Sequence, residues 1–519
     1  MRSEVAVRAW LGVWGVCAAS GCNAFFGLGE TVSIDASVPP DVPLIPAKLT
    51  YEVALTTRDG KQDPAILSLP IEPAPVIRIG LLDEPLVATT YLDTGAFGYP
   101  QAFIGKPWRV EYRPPGDVVH EVQWSPAAGE GHLVVPHVGR RARTAAAPGT
   151  GYRITTSTNT VWHGVNDGTS PNRTTIYSTG YWTRTALTGG ATTSINLDLS
   201  TVPPLSGAPG VPDGDQGDVV VAIDRAVDGT CFVADANAAF IATPLTSGAL
   251  VPVTAMSAGG SVALAISYSQ GQVSLFGRLH AALASRRNAA AGSDAAASTF
   301  GRAAHTDMPG FTHEFNGIPA PLFVPLAECT IPASAGSVMT SPFKDLGVLK
   351  DLSGVLFAYV ANRRQVGATG LTSSLASLTT ASVGMTAAPS FGVPLATTIM
   401  LGAHDLAGGT DGQVIDATPL TLTFGVEAAP SGDLVLDYFE VVLLRTDGAT
   451  PVPVRVYVGT DVVTRSIRFD PAVMEPGIPY VFAIRTYRGR PDARRGEFRR
   501  ITYPQVMGTV HSFSFSRLP

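Results

Sequence analysis

"MEPGIPYVFAIRTY", Met474 to Tyr487, decides how the rest of the chain is read. Pro476 and Gly477 set a turn, because proline fixes φ and lacks an N–H while glycine accepts backbone angles that other residues avoid. Beyond the turn, Tyr480, Phe482 and Ile484 alternate with Val481, Ala483 and Arg485. That is the period of a strand, not of a helix. Tyr480 stands three residues past that glycine.

The same grammar runs outward through the chain. "WRVEYR" puts Trp108, Val110 and Tyr112 on one face and Arg109, Glu111 and Arg113 on the other. "LTYEVALTT", "PVIRIGLL", "HEVQWS" and "HLVVPHV" read as strands around it, and "TTSINLDLS", "DVVVAIDRA", "AAFIATPL" and "SVALAISYS" as strands further on. The 54 Gly and 41 Pro punctuate these runs too often for a helical protein. With 45% hydrophobic and 15% charged residues the chain is foldable, and its length allows about three domains. The fold class expected is all-β: tandem antiparallel sandwiches. Gly277 to Ser298, rich in Ala and Arg, fits a helix followed by an Ala/Gly/Ser loop, or a long hairpin.

The N-terminus carries an address. Arg2 and Arg8 precede an uncharged run from Ala9 to Ser20, too short for the roughly 20 residues that span a bilayer. This is the layout of a secretory signal peptide. Ala19-Ser20-Gly21-Cys22 resembles the lipobox of bacterial lipoproteins, with Ala19 where leucine is commoner. The resemblance implies lipidation at Cys22, and the alternative is ordinary cleavage near Ala18 or Ala19. Asn23 is not the Asp that retains such proteins in the inner membrane of enteric bacteria. The resemblance therefore implies the outer membrane of a Gram-negative bacterium, with the membrane itself as a partner. Pro39, Pro40, Pro43 and Pro46 suit an extended tether after the anchor.

Two further resemblances concern domains. "YLDTGAFGYP" and "KPWRVEYRPPGD" resemble the turn and following strand of the carboxypeptidase-regulatory-like and Cna-B sandwiches, with Asp93 and Gly95 one residue closer than in that family. "PLTLTFGVEA", "LDYFEVVLLRTDG" and "MEPGIPYVFAIRTY" resemble a fibronectin type III domain, with Phe424 where that core has Trp. The resemblance implies a tyrosine corner, in which the Tyr480 phenol bonds back to nearby backbone and staples the turn to the sandwich. The expected organisation is a leader over 1–21, a tether over 22–47, a first sandwich over 48–139, a central β-rich domain over 152–385 and a last sandwich over 389–519. Both families imply binding or spacing rather than a reaction.

Candidate chemistry is sparse. No nucleophile elbow, phosphate loop or zinc-protease helix occurs, and no motif calls for a cofactor. Nine histidines are scattered without metal-ligand spacing, and Trp162 and Trp182 read either as core or as glycan-stacking residues. Asp213, Asp215 and Asp218 lie in a Gly-rich loop that suits either Ca²⁺ or plain solvation. Beyond the leader's Cys17 and Cys22, only Cys231 and Cys329 remain, which read as a disulfide or as two buried thiols. Arg485, Arg488, Arg490, Arg494, Arg495, Arg499 and Arg500 form a basic run, expected as an exposed hairpin that meets an anionic ligand or merely discourages edge pairing. A net charge of −6 gives no argument for nucleic acid. The expected function is binding, adhesion or envelope organisation, with an envelope protein or anionic polysaccharide as partner. The rival is an exported hydrolase whose site converges from distant loops.

Overall fold

The alternation read in the sequence becomes strands throughout. The structure, a computed structural model, describes residues 44–53, 67–70, 74–113, 118–124, 132–134, 146–156, 162, 174–178, 183–186, 192–201, 211, 219–228, 231–241, 243–257, 261–268, 298–305, 314–315, 318–319, 323–330, 336–344, 353–381, 386–387, 395–426, 436–496 and 505–519. Strands make up 57% of it, and the described residues contain no α-helix, so the all-β class holds. The leader, the tether as far as residue 43, and the stretch from 277 to 297 lie outside the described residues.

The first section pairs two sheets. In one, Leu44–Val53 lies antiparallel to Leu67–Pro70 and Ala96–Pro100 and parallel to His132–Val134. This strand begins four residues before position 48, inside the stretch expected as tether. The other sheet runs Val87–Thr89, Ile77–Leu81, Trp108–Tyr112, Val119–Trp124, all antiparallel. Trp108, Val110 and Tyr112 are buried as the alternation requires, and Trp108 stacks on Tyr99 at 4.9 Å across the two sheets. The turn into Ala96–Pro100 closes on Gly95, whose φ of 79° lies in the left-handed region that favours glycine.

The last section also pairs two sheets. Ala396–Leu401, Leu420–Val426 and Ser466–Phe469 form one, with His404–Asp405 at its edge. Val452–Gly459, Tyr438–Arg445, Tyr480–Arg488 and Gln505–His511 follow one another in the second. Phe424 against Phe439, Phe469 against Tyr457, and Phe469 against Phe482 fill the space between them. Gly459 is required here, since a Cβ on it would stand 2.1 Å from the Phe439 ring. The turn before Tyr480 is stapled as its sequence suggests: the Glu475 N–H donates to the Tyr480 hydroxyl at 3.0 Å.

These sections are not separate beads. Val119–Trp124 of the first lies parallel to Val452–Gly459 of the last, making their sheets one. On the opposite edge, Gln505–His511 accepts Thr369–Ala381, half of a long hairpin with Ser353–Val366 that turns at Gly367, φ 58°. From Pro43 to Pro519 the chain is one compact unit. A single apolar core joins Ile79, Trp108 and Val122 to Val442, Val458, Val481 and Met507 along one face of the shared sheet. Tyr438–Arg445 and Tyr480–Arg488 are consequently buried on both faces, which is why "YFEVVLLR" reads as a nearly unbroken apolar run. A second core, around Tyr152, Trp162, Ile195 and Phe240, fills the first half of the central section.

Removing the Tyr480 hydroxyl isolates the staple. Tyr480→Phe keeps the buried ring and loses one backbone bond, so unfolding in urea should cost about 1 kcal/mol less than in the parent. An unchanged midpoint would show that the turn is held by packing alone.

Candidate functional site

The densest polar constellation among the described residues sits where the first and last sections join. The register places Arg78 opposite Glu111, Glu111 opposite Glu121, and Glu121 beside Tyr457 across four neighbouring strands. Two carboxylates directly opposite one another repel. Arg455, on the same strand as Tyr457, donates to both Glu111 Oε2 and Glu121 Oε2. Arg78 reaches Glu111 Oε1 at 3.0 Å, and Arg109 reaches Glu121 Oε1 at 3.4 Å. Gln123 donates to the same Glu121 oxygen at 2.6 Å and exchanges two 3.0 Å bonds with the Arg468 backbone, tying the ladder to the other sheet of the last section.

The centre of this cluster is nearly dry, with the Glu121 side chain 2% exposed and the Arg455 and Glu111 side chains 12% each, while Arg78 at its end is 45% exposed. Burial works against the Arg455 charge, but Tyr457, Glu121 and Glu111 hold its pKa above the ordinary guanidinium value. Burial likewise pushes the Tyr457 phenol up, so it stays protonated beneath the guanidinium 5.4 Å away. Every carboxylate oxygen of Glu111 and Glu121 accepts from a cationic or amide donor. Paired carboxylates that hydrolyse glycosides act as acid and base or as acid and nucleophile, each with an oxygen open to substrate or water. Here all four are spent on protein, so this arrangement holds strands together.

A second buried group lies on the other face of the shared sheet. Glu440 Oε2 accepts from the Tyr487 hydroxyl at 2.7 Å and from Arg485 at 3.4 Å, and Tyr438 stacks on Tyr487 at 4.4 Å. Burial pushes the Tyr487 phenol well up, with Glu440 adding to the effect, and pulls Arg485 down. This corrects the basic run. Arg485 lies inside the strand Tyr480–Arg488, in phase with Ala483 and Tyr487, and faces its cross-strand partner Glu440. Arg490 is also buried; its N–H and that of Gly489 donate to Asp437 at 2.8 and 2.7 Å. Exposed guanidinium surface begins only at Arg494 and Arg495, with Arg488 half-buried and Arg494 also donating to the Leu436 carbonyl at 2.8 Å. Arg499 and Arg500 lie outside the described residues.

The remaining candidates separate. Cys22, the Asp213, Asp215 and Asp218 loop, and Trp182 lie outside the described residues. Trp162 is fully buried, a core residue and not a glycan platform. His120 stacks on Tyr112 at 5.5 Å, and His511 Nδ1 meets Ser373 Oγ at 3.2 Å. No group of three metal-ligating side chains occurs among the described residues. Cys231–Ile241 and Phe323–Thr330 are antiparallel neighbours with Cys231 opposite Cys329. Sequence reasoning found Arg109 and Glu111 on one face but missed Arg455, whose only local signal is its alternation in "VRVYVG".

The ladder makes a sharp energetic claim. Arg455→Met leaves two facing carboxylates without their bridge and should lower unfolding free energy by about 3 kcal/mol. Adding Glu111→Gln and Glu121→Gln to it should recover most of that loss in urea titrations. A single variant as stable as the parent would mean that Arg78 and Arg109 suffice.

The chain matches no protein-family model, and no curated protein matches it in sequence.

Proposed function

We propose that this chain is a lipid-anchored envelope protein without catalytic activity, held to the outer membrane through Cys22 and presenting its β body to an anionic envelope polysaccharide. The observation that carries the reading is the shared sheet. Strands from the first, central and last sections hydrogen-bond in one continuous order, which suits a stiff spacer that holds a surface at a fixed distance from its tether. The leader and Pro-rich tether supply the membrane end of that reading. We read residues 389–519 as a fibronectin type III-like sandwich: its strand order, the Tyr480 staple and the buried Phe424 support this. The turn closed by Gly95 and the strand Trp108–Tyr112 support the carboxypeptidase-regulatory-like reading of the first section.

The ligand surface on this reading is Arg488, Arg494 and Arg495 with Arg499 and Arg500, without Arg485 and Arg490. A guanidinium meets carboxylate or sulfate groups bidentately, and its pull on a charged partner fades beyond about 8 Å at physiological salt.

Two measurements test the two halves. Stable anchoring needs more than one acyl chain, so Cys22→Ser should move the protein from the membrane pellet to the soluble fraction. Continued pelleting of the variant would overturn the anchor. Replacing Arg494, Arg495, Arg499 and Arg500 with Ser should weaken retention on immobilised heparin at low salt while the melting temperature holds. Equal retention would remove the polysaccharide.

A further inference from the structure

We infer that Cys231 and Cys329 form an intrachain disulfide that clamps a seam of only three residue pairs in the central section's sheet. The inference rests on the exported reading above for its oxidising compartment and on strand register for its geometry.

The register is specific. Cys231 opens one strand, Cys329 is next to last in the other, and the two stand directly opposite. Residues opposite one another in an antiparallel pair have Cα atoms about 4.5 or 5.5 Å apart, depending on whether they exchange hydrogen bonds. Both separations fall within the roughly 4.4–6.8 Å that a disulfide spans. A one-residue slip would break the alignment, so cysteine at both positions is a precise coincidence of register.

The position gives the bond a task. On one side of it lie Thr174–Ser178, Thr183–Ala186, Val219–Asp228 and Cys231–Ile241; on the other lie Ser298–His305, Phe323–Thr330 and the long hairpin leading to the last section. Among the described residues this sheet is joined there by three residue pairs, Cys231–Cys329, Phe232–Glu328 and Val233–Ala327. The neighbouring hairpin has thirteen. Three rungs make a weak seam, and a covalent bond at its end restrains the chain most when the loop it closes is long.

Formation is dithiol–disulfide exchange. One thiolate attacks a sulfur of an oxidant disulfide and releases the oxidant's other sulfur as a thiol. The second cysteine thiolate then attacks the mixed disulfide, forming the Cys231–Cys329 bond and releasing the oxidant's first sulfur. The two cysteines lose two protons and two electrons, and the oxidant, a protein or small-molecule disulfide, becomes a pair of thiols.

The test uses the full chain recovered from the envelope, blocked with N-ethylmaleimide and kept free of reductant. Trypsin cuts after Arg278, Arg286, Arg287 or Arg302, between the two cysteines, should leave fragments that run together on a non-reducing gel and part on reduction. The peptide pair containing Cys231 and Cys329 should be two hydrogens lighter than its separate parts. Cys329→Ser should abolish the link and leave Cys231 open to alkylation. A parallel sample of purified reduced chain, treated with oxidised glutathione, separates the two premises. Linkage there, with alkylated thiols in the cellular sample, supports the pairing and overturns the oxidising compartment. Alkylated thiols in both samples, or linkage to any other cysteine, overturn the disulfide.

Discussion

The junction of Val119–Trp124 with Val452–Gly459 is the constraint on which the rest of the molecule depends. The first section brings Glu111 and Glu121 face to face on adjacent strands, an arrangement its own sheet leaves with Arg78 and Arg109 at the flanks. The guanidinium that spans both comes from 344 and 334 positions further along the chain. Removing two carboxylates from water costs several kcal/mol each unless geometry and hydrogen bonding compensate. Arg455 compensates only when the parallel pairing is in register, so the ladder selects that register as well as stabilising it. Apolar packing alone would tolerate slips that this buried charge pattern forbids.

The same junction explains how exposed edges are handled. An isolated sandwich leaves unpaired N–H and C=O groups along its outer strands, which invite association with other chains. In the second sheet of the last section one outer strand is covered by Val119–Trp124 and the other by Thr369–Ala381. Thr369 adds a side-chain bond to the Thr446 carbonyl at 3.0 Å, fixing the hairpin tip against the neighbouring loop. The sections therefore hide each other's edges.

Local features were legible in the sequence and long-range ones were not. "WRVEYR" and "YVFAIRTY" announced their strands because alternation is a property of consecutive residues. The Tyr480 staple was legible for the same reason, since its partner Glu475 is five residues away. The charge run was misread at Arg485 because composition groups neighbours, whereas a strand separates them by face. Arg485 belongs with Ala483 and Tyr487, opposite Glu440, and the phase of "LDYFEVV" carried that information. Alternation in "VRVYVG" places Arg455 on a strand face but does not say whether that face meets solvent or a carboxylate pair. Its meaning resides in a parallel pairing across most of the chain, where neither turn chemistry nor hairpin length restricts the partner.

That separation also bears on how the chain folds. Contacts distant in sequence form late, because loop closure must precede the energy they return. The strands from Ile77 to Trp124 can pair as hairpins soon after they emerge, but Glu111 and Glu121 then face each other without Arg455. The first section is electrostatically incomplete until the last section exists. A chain that emerges N-terminus first therefore holds its earliest strands in a provisional state until nearly all of it is present. The double-sided burial of Tyr438–Arg445 and Tyr480–Arg488 works in the same direction, since one face of those strands is covered by the core they share with the first section. Each section supplies what the other lacks, a counter-ion in one direction and a covering core in the other. The joined sheet is thus where the electrostatics of one section and the burial of the other are both completed.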